Sequence, residues 1–477
     1  MKLSLPLSLD EIVTATQAEL FPWGGWAVLS HFQVEGISID SRQVNAGELF
    51  FALRGDHFDG HNFVEQSLKR NAAAAVVARE WFENQSSNPN GLFMIVPDTL
   101  RAFQNLAAYY RQKFSVMLVA ITGTNGKTTT KEMAYQVLSK KFTVVRNQGN
   151  LNNHIGVPLT LFQLRPNISV AVVEMGANHF GEIWRLCEIA RPNVGLITNV
   201  GSGHLEFFGT VRDVARAKAE LFDYLDATGI ALVNLDDPLV VEVAQRVQHR
   251  RTFGFSPQAE IKGTYLGMDE LGCPSFNLQD EIAINLQVLG RHQAHNALAA
   301  SAMGVHWGVP LTAIKQALEA YQGFSKRMEI IKLGSTLLLN DTYNANPDST
   351  QQALKTLQHI VQNHGGRSFA VLADMLELGE QSTKAHQQIG LIASQLEIDF
   401  LLTFGKEART ISEAAQQHGL QQVFHFTDKF KIVPFLLSQL QKSDAILVKG
   451  SRGMLMEEVV EELKARMRSQ KPNEANF

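Results

Sequence analysis

Cysteine is nearly missing from this chain of 477 residues: Cys187 and Cys273 are the only two, far apart in sequence. Without paired spacing they offer no zinc site and no disulfide framework, and their scarcity fits a reducing compartment where both are ordinary buried thiols. A basic excess is missing too. The 43 Lys and Arg face 47 Asp and Glu, a net charge of -4, which argues against nucleic-acid binding as the main purpose because that leaves a basic footprint. No stretch reaches the roughly 18 apolar residues needed to span a bilayer. The first residues, Met1-Lys-Leu-Ser-Leu-Pro-Leu-Ser-Leu, form too short an apolar run for a signal peptide and meet Asp10 and Glu11 at once. What is present, 45% hydrophobic and 19% charged residues, belongs to a globular protein. A cytoplasmic enzyme is expected.

The length suits about three domains of roughly 150 residues. The middle of the chain repeats one grammar: short β-branched runs at 116–121, 170–173, 194–198 and 230–233, separated by segments long enough for helices. This predicts an α/β fold with a parallel, doubly wound sheet. A second set follows after Gly323, at 336–339, 369–372, 400–403 and 445–448, and predicts another α/β domain. The first 110 or so residues read as a small mixed α/β domain, with strands at 36–39, 49–53, 75–78 and 93–96 and an Ala-rich helical run at 71–75. No low-complexity linker marks the joins, so the grammar alone sets the expected domains at 1–112, 113–322 and 323–477. The segment from 250 to 290 alternates as antiparallel strands do, and the polar tail from Ser469 is expected to fray.

The most informative stretch is Val119-Ala-Ile-Thr-Gly123-Thr124-Asn125-Gly126-Lys127-Thr128-Thr129-Thr130. A strand that empties into a Gly-rich turn and then a helix aims backbone N–H groups at phosphate, while a Lys reaches the outer phosphates and a Thr hydroxyl meets Mg²⁺. The loop is shorter than the usual P-loop, whose first glycine would fall at Ile121. In an open α/β sheet, ligands gather beyond the carboxyl ends of the strands. The other central strands run into Glu174, then Asn199, His204 and Glu206, then Asn234, Asp236 and Asp237, so these groups are expected on one rim with Lys127 and Thr128. A carboxylate there suits Mg²⁺, which takes oxygen ligands, and Glu174 is the first candidate. Lys218 falls on a helical stretch at 211–224 and, from its surroundings alone, reads as a solvated surface lysine.

Taken together, Gly123-Thr-Asn-Gly-Lys-Thr-Thr-Thr, Glu174-Met-Gly-Ala-Asn, Asn199-Val-Gly-Ser-Gly-His204-Leu-Glu, Leu235-Asp-Asp, Asp341-Thr-Tyr-Asn-Ala-Asn-Pro347, Leu372-Ala-Asp-Met-Leu-Glu-Leu-Gly379 and Val448-Lys-Gly-Ser-Arg-Gly resemble the Mur ligases. The resemblance runs from about residue 36 to 459. It implies an N-terminal domain for the UDP part of a substrate, a central P-loop ATPase domain and a C-terminal Rossmann-like domain. It further implies that the chain joins D-alanyl-D-alanine to a UDP-N-acetylmuramoyl-tripeptide through an acyl phosphate made with ATP and two Mg²⁺ ions; a monomer is expected.

Carried over residue by residue, the resemblance gives ATP the loop from Gly123 to Thr129, with Lys127 at the β and γ phosphates, Asn296 at adenine, Arg327 at the γ phosphate and Asp341 near the ribose. Thr128 and Glu174 hold one Mg²⁺, and His204 helps hold a second. Lys218, in its Ala-Lys-Ala-Glu-Leu context, matches a lysine that is carbamylated into an anionic metal-placing group. Ser41 and Arg42 would meet the UDP moiety, Asn344 and Asn346 the peptide or D-alanyl-D-alanine, and Lys449, Ser451 and Arg452 a carboxylate, which needs cationic and N–H or O–H donors. Two positions depart from the family pattern: Gln293 stands where Asn is common after His292, and Asn340 where a second acidic residue is common before Asp341.

Overall fold

A computed structural model describes residues 1–21, 32–55, 58–85, 90–225 and 229–469. Three large sheets organise it. The central sheet has nine strands, in the spatial order Val144–Arg146, Val170–Glu174, Met117–Thr122, Val194–Ile197, Ile230–Asn234, Arg250–Gly254, Ile261–Met268, Pro274–Leu278 and Ile282–Asn285. The first seven pair in parallel and the last two add antiparallel strands, so the expected antiparallel pairing of 250–290 begins only after Ile261–Met268, because Arg250–Gly254 and Ile261–Met268 extend the parallel sheet. Val170–Glu174 is buried along its whole length, the continuous apolar run expected of a strand covered by helices on both faces. Register decides the function of this edge: Glu174 lies beside Ile121, and Ile197 beside Thr122. The carboxyl ends of three adjacent strands therefore finish level with one another.

The C-terminal sheet runs Glu329–Leu333, Thr336–Asp341, Ala445–Lys449, Ser368–Ala373, Phe400–Phe404 and Val423–Phe426, parallel except for its first strand. Asp341 and Lys449 are register partners at its carboxyl edge. In the N-terminal sheet the four inner strands, Gln33–Ser38, Glu48–Phe51, Ala74–Ala78 and Phe93–Val96, are parallel and the two edges antiparallel.

The Ala-rich run at 71–75 is not helical. The helix is Val64–Lys69, Asn71 turns at φ 64, and Ala74–Ala78 is a fully buried inner strand. Alanine's helix propensity is a weak prior, and here a slot between two strands takes small side chains on both faces. Of the tail expected to fray, only Ser469 lies within the described residues.

The N-terminal and central sheets share one apolar core, in which Leu106, Tyr110 and Phe114 pack with Leu118, Phe162 and Leu186. The buried Tyr110 hydroxyl accepts from the Ser4 and Leu5 backbone N–H groups at 3.0 and 3.2 Å, and buried Arg111 donates to the Ala190, Phe114 and Val116 carbonyls. Among the described residues no helix is long and apolar enough to cross a membrane.

Candidate active site

The phosphate loop leaves Met117–Thr122 and enters the helix Lys127–Leu138. Gly126 caps that helix at φ 80, and a Cβ there would lie 2.2 Å from Asn296 Oδ1, so any other residue would be strained and would have to displace the Asn296 amide. The neighbouring strand end holds the loop: Thr124 N donates to the Asn199 carbonyl at 2.9 Å and Asn125 N to Asn199 Oδ1 at 2.9 Å. Lys127 folds over the loop, its Nζ donating to the Gly123 and Thr124 carbonyls at 2.7 and 2.9 Å. Burial pushes its ammonium below the usual range, Arg327 pushes the same way, and Glu174 opposes them.

Glu174 is buried, its Oε1 accepting from Asn152 Nδ2 at 2.8 Å, while its Oε2 is buried without a hydrogen-bond partner. Asn147 holds the Glu174 backbone on both sides, at N and at O. Lys131, fully buried, stands 3.7 Å from Oε2. An unsatisfied buried carboxylate oxygen is costly in free energy, and it marks a place where a cation would be welcome. Among the described residues no three His, Cys, Asp or Glu cluster as a metal cage. The arrangement suits Mg²⁺, which is held by one or two protein oxygens together with phosphates and water.

Lys218 overturns the expectation of a surface residue. It is 1% exposed on the helix Val211–Leu225, and its ammonium lies 5.8 Å from the Phe208 ring centroid. Burial first, and then the charge of Lys127, bring its pKa down to about 7. The helix is amphipathic, and Lys218 falls on its inner face with Val214, Ala215, Leu221 and Phe222.

A cavity of about 1070 Å³ joins these groups to the C-terminal sheet. Into it come Thr124 to Thr129, Glu174, His204, Lys218 and Asn296 from the central part, and Arg327, Asp341, Asn344, Asn346, Lys449 and Arg452 from the C-terminal part. Asn234, Asp236 and Asp237 join the same wall. Glu206 does not; it is exposed, and its backbone N–H donates to the Glu377 carbonyl at 3.0 Å. Arg327 crosses from the C-terminal side to donate from NH2 to Thr128 Oγ1 at 3.0 Å, its guanidinium 3.9 Å from the Tyr343 ring centroid. His204, at φ 58, places Nδ1 2.7 Å from Glu377 Oε2. Asn346 Nδ2 donates to Asn125 Oδ1 at 2.8 Å, and exposed Asn344 offers its carbonyl to Lys449. Asn296 is held by its amide donation to Gln293 Oε1 at 2.9 Å, so the glutamine that departs from the family pattern orients it.

Two of the expected carboxylate receivers have partners within the chain. Lys449 is buried, donating to Asp341 Oδ2 at 2.6 Å and to the Asn344 carbonyl at 2.8 Å. Ser451 lies outside the cavity lining, its hydroxyl accepting from Leu376 N and donating to the Ala345 carbonyl. A strand-end lysine opposite an aspartate in register pairs with it, a relation that motif spacing does not disclose. Arg452 is exposed at the cavity, 5.9 Å from the Tyr343 ring centroid. Ser41 and Arg42 line none of this cavity; Ser41 is buried, and Arg42 is 80% exposed and paired with Asp40 at 2.9 Å. Tyr343, Asp348 and Glu377, not among the expected site residues, also line the cavity. Tyr343 and Glu377 sit inside quoted motifs, and Asp348 directly follows one.

Residues 33–111 match the Mur ligase family catalytic domain, 121–304 the Mur ligase middle domain and 326–452 the Mur ligase, glutamate ligase domain. The chain is 38% identical over 439 residues to the UDP-N-acetylmuramoyl-tripeptide–D-alanyl-D-alanine ligase of Escherichia coli, covering 90% of this chain and 94% of that protein. The enzyme of that name from Bacillus subtilis is 35% identical over 433 residues, with 90% and 93% covered. A crystal structure of MurF from Acinetobacter baumannii superposes with a TM-score of 0.87 at 30% identity, covering 98% of this chain and 100% of that one. A MurF ligase from Thermotoga maritima in complex with ADP gives 0.81 at 28% identity, covering 91% and 98%. A phosphate loop, a buried carboxylate and an arginine arriving from a second α/β sheet are thus combined in a three-domain α/β chain that belongs to the Mur ligase family.

Proposed function

We infer that the chain joins D-alanyl-D-alanine to UDP-N-acetylmuramoyl-tripeptide with ATP, making a peptidoglycan precursor in the cytoplasm. One observation carries the reading: Arg327 of the C-terminal part donates to Thr128 of the phosphate loop in a cavity that Glu174, with an Oε2 lacking a hydrogen-bond partner, also lines. Such an arrangement supports phosphoryl transfer at a site between two domains.

The domains are taken as 1–112, 113–322 and 323–477. The terminal carboxylate of the tripeptide attacks the γ phosphorus of ATP and ADP leaves, giving an acyl phosphate. The amine of D-alanyl-D-alanine then attacks the acyl carbon, and the tetrahedral intermediate loses phosphate and a proton to leave the amide. Lys127 and Arg327 bear the phosphate charge, Asn296 meets adenine and Asp341 the ribose. Ser41 and Arg42 bind the UDP moiety, while Asn344, Asn346 and Arg452 orient the incoming dipeptide. Lys449 acts by fixing Asp341, and Ser451 by fixing its loop.

Thr128 and Glu174 would hold one Mg²⁺, which offsets the negative charge gathered at the phosphates. A second, near His204, fits only if Lys218 is carbamylated, since an ammonium repels a cation and a carbamate supplies an oxygen donor. A neutral amine is the form that takes up CO₂, and the lowered pKa of Lys218 favours it. Arg327 and Tyr343 shield the acyl phosphate from water when the domains are together.

Phosphate release, followed across acceptors, tests the reading. D-alanyl-D-alanine with the UDP-tripeptide should release one phosphate per amide and the enzyme should idle without acceptor. Release with diaminopimelate and a UDP-dipeptide instead would transfer the chain to another member of the family, and steady hydrolysis with no amide would make it an ATP-driven switch.

A further inference from the structure

Asp348 opens the first turn of the helix Pro347–His364, one residue beyond the motif that resembles the family. An acidic residue there is favoured by the helix dipole alone. Its contacts lie elsewhere: Asp348 Oδ2 accepts from the Ser202 backbone N–H at 2.8 Å, across the cavity on the loop that follows Val194–Ile197. The adjoining Gly201 is so close that a Cβ would lie 2.3 Å from Asp348 Oδ2. Gly201 does not adopt a left-handed φ, so its lack of a side chain answers to this approach of a second domain and not to a turn.

The same loop holds the phosphate loop. Gly201 N donates to Thr124 Oγ1 at 2.9 Å, and Asn199 takes the Thr124 and Asn125 N–H groups. A Cβ on Gly203 would meet Thr124 Cγ2 at 2.8 Å. Two residues before Asp348, Asn346 donates to Asn125. The start of one C-terminal helix therefore reaches the phosphate loop by two routes, one direct through Asn346 and one through Asp348 and the loop from 199 to 204.

We propose that Asp348 and Gly201 form a latch that couples seating of the C-terminal domain to the shape of the phosphate loop, making Asp348 a positioning residue for phosphoryl transfer. The proposal rests on the ligase reading above. When the domains part, the Ser202 N–H loses its carboxylate and Thr124 is held from the central side only. When they meet, the carboxylate fixes the loop backbone and, through Gly201, the Thr124 hydroxyl. Among the described residues Asp348 bonds Ser202 and not Asn296 or Asp341, so the latch acts on turnover more than on nucleotide affinity.

Four full-length variants test this: Asp348→Ala, Asp348→Asn, Gly201→Ala and the Gly201→Ala, Asp348→Ala pair. Asp348→Ala should lower kcat for amide formation tenfold or more while the Kd for ADP moves less than threefold. Asp348→Asn, which keeps a carbonyl oxygen at the acceptor position, should recover to within about threefold of the parent. Gly201→Ala should lose as much as Asp348→Ala, and the pair should lose little more than either alone, since both changes break one contact. Multiplying losses in the pair, or a kcat unchanged in Asp348→Ala, would overturn the latch; so would an equal loss of ADP affinity and thermal stability, which marks a merely structural residue. X-ray scattering with an ATP analogue separates this from the assigned reaction. If the parent compacts and Asp348→Ala does not, the latch stands even where D-alanyl-D-alanine proves to be the wrong acceptor; equal compaction refutes it.

Discussion

Replacing Lys218 by Met gives the sharpest test of the site. Lys218 is 1% exposed with a pKa of about 7, against 10.5 for an unhindered lysine. At pH 7.5 that leaves much of the side chain neutral, where an exposed lysine would be neutral about once in a thousand. The folded pKa is depressed for a cationic group, so the unfolded chain binds more protons between about pH 7 and 10.5 and stability rises with pH across that window. The cost of burying the ammonium is about 4 to 5 kcal/mol below pH 7 and falls to about 2 kcal/mol at pH 9. In CO₂-free buffer the parent should therefore gain about 3 kcal/mol on Lys218→Met between pH 6 and 9, read from urea midpoints of the two proteins. With ¹³C-bicarbonate at pH 7.5 the parent should show a carbamate resonance and full turnover. Lys218→Met should show no resonance, turn over at least a hundredfold more slowly and be no less stable at pH 7, because a buried charge has become an apolar chain of similar length. Short carboxylates should partly rescue Lys218→Ala. A parent without the resonance that is indifferent to CO₂ removal, or a Lys218→Met protein with parental turnover, would refute the reasoning.

Lys127→Met should abolish most phosphate release while leaving the thermal midpoint nearly unchanged, since among the described residues the hydrogen bonds of Lys127 run to its own loop; unchanged turnover would remove it from the phosphate site. Arg327→Ala should cost about 10²-fold or more in kcat, in the range of other lost charge-stabilising donors, with a smaller change in ADP affinity; steady-state kinetics and calorimetry separate the two. Gly126→Ala should weaken nucleotide binding, because its φ of 80 strains a side chain and the Cβ would displace Asn296 Oδ1 from 2.2 Å; ADP titration reads this directly, and parental affinity would contradict the geometry. Arg42→Ala should raise KM for the UDP substrate about tenfold, as expected for one lost charge-assisted bond, and leave the KM for ATP unmoved. A selective effect on ATP would reassign Arg42.

The strands that matter most were legible because they are buried on both faces and so appear as unbroken apolar runs, and the glycine loop because phosphate binding demands glycine and lysine at set spacing. Short or edge strands such as Val144–Arg146 and Val423–Phe426 left no such run. The Ala-rich stretch at 71–75 misled because alanine suits a crowded inner strand as well as a helix. At the site, motif spacing could nominate Lys449 and Ser451 but could not register that one faces Asp341 in the next strand and the other ties down a loop.

Local chemistry, written in the order of residues, determined the phosphate loop, the carboxylate at the end of the neighbouring strand and the alternation of strand and helix that builds parallel sheets. Tertiary structure alone decided that Lys218 is buried with its pKa brought down, that one oxygen of Glu174 has no hydrogen-bond partner, that Arg327 and Asn346 reach the phosphate loop from about 200 residues away in sequence, and that Asp348 reaches the adjoining loop at Ser202. The reason is physical. A residue's type limits which bonds it can make, whereas its pKa and its partners depend on which distant segments exclude water around it, and those are set only when the sheets come together.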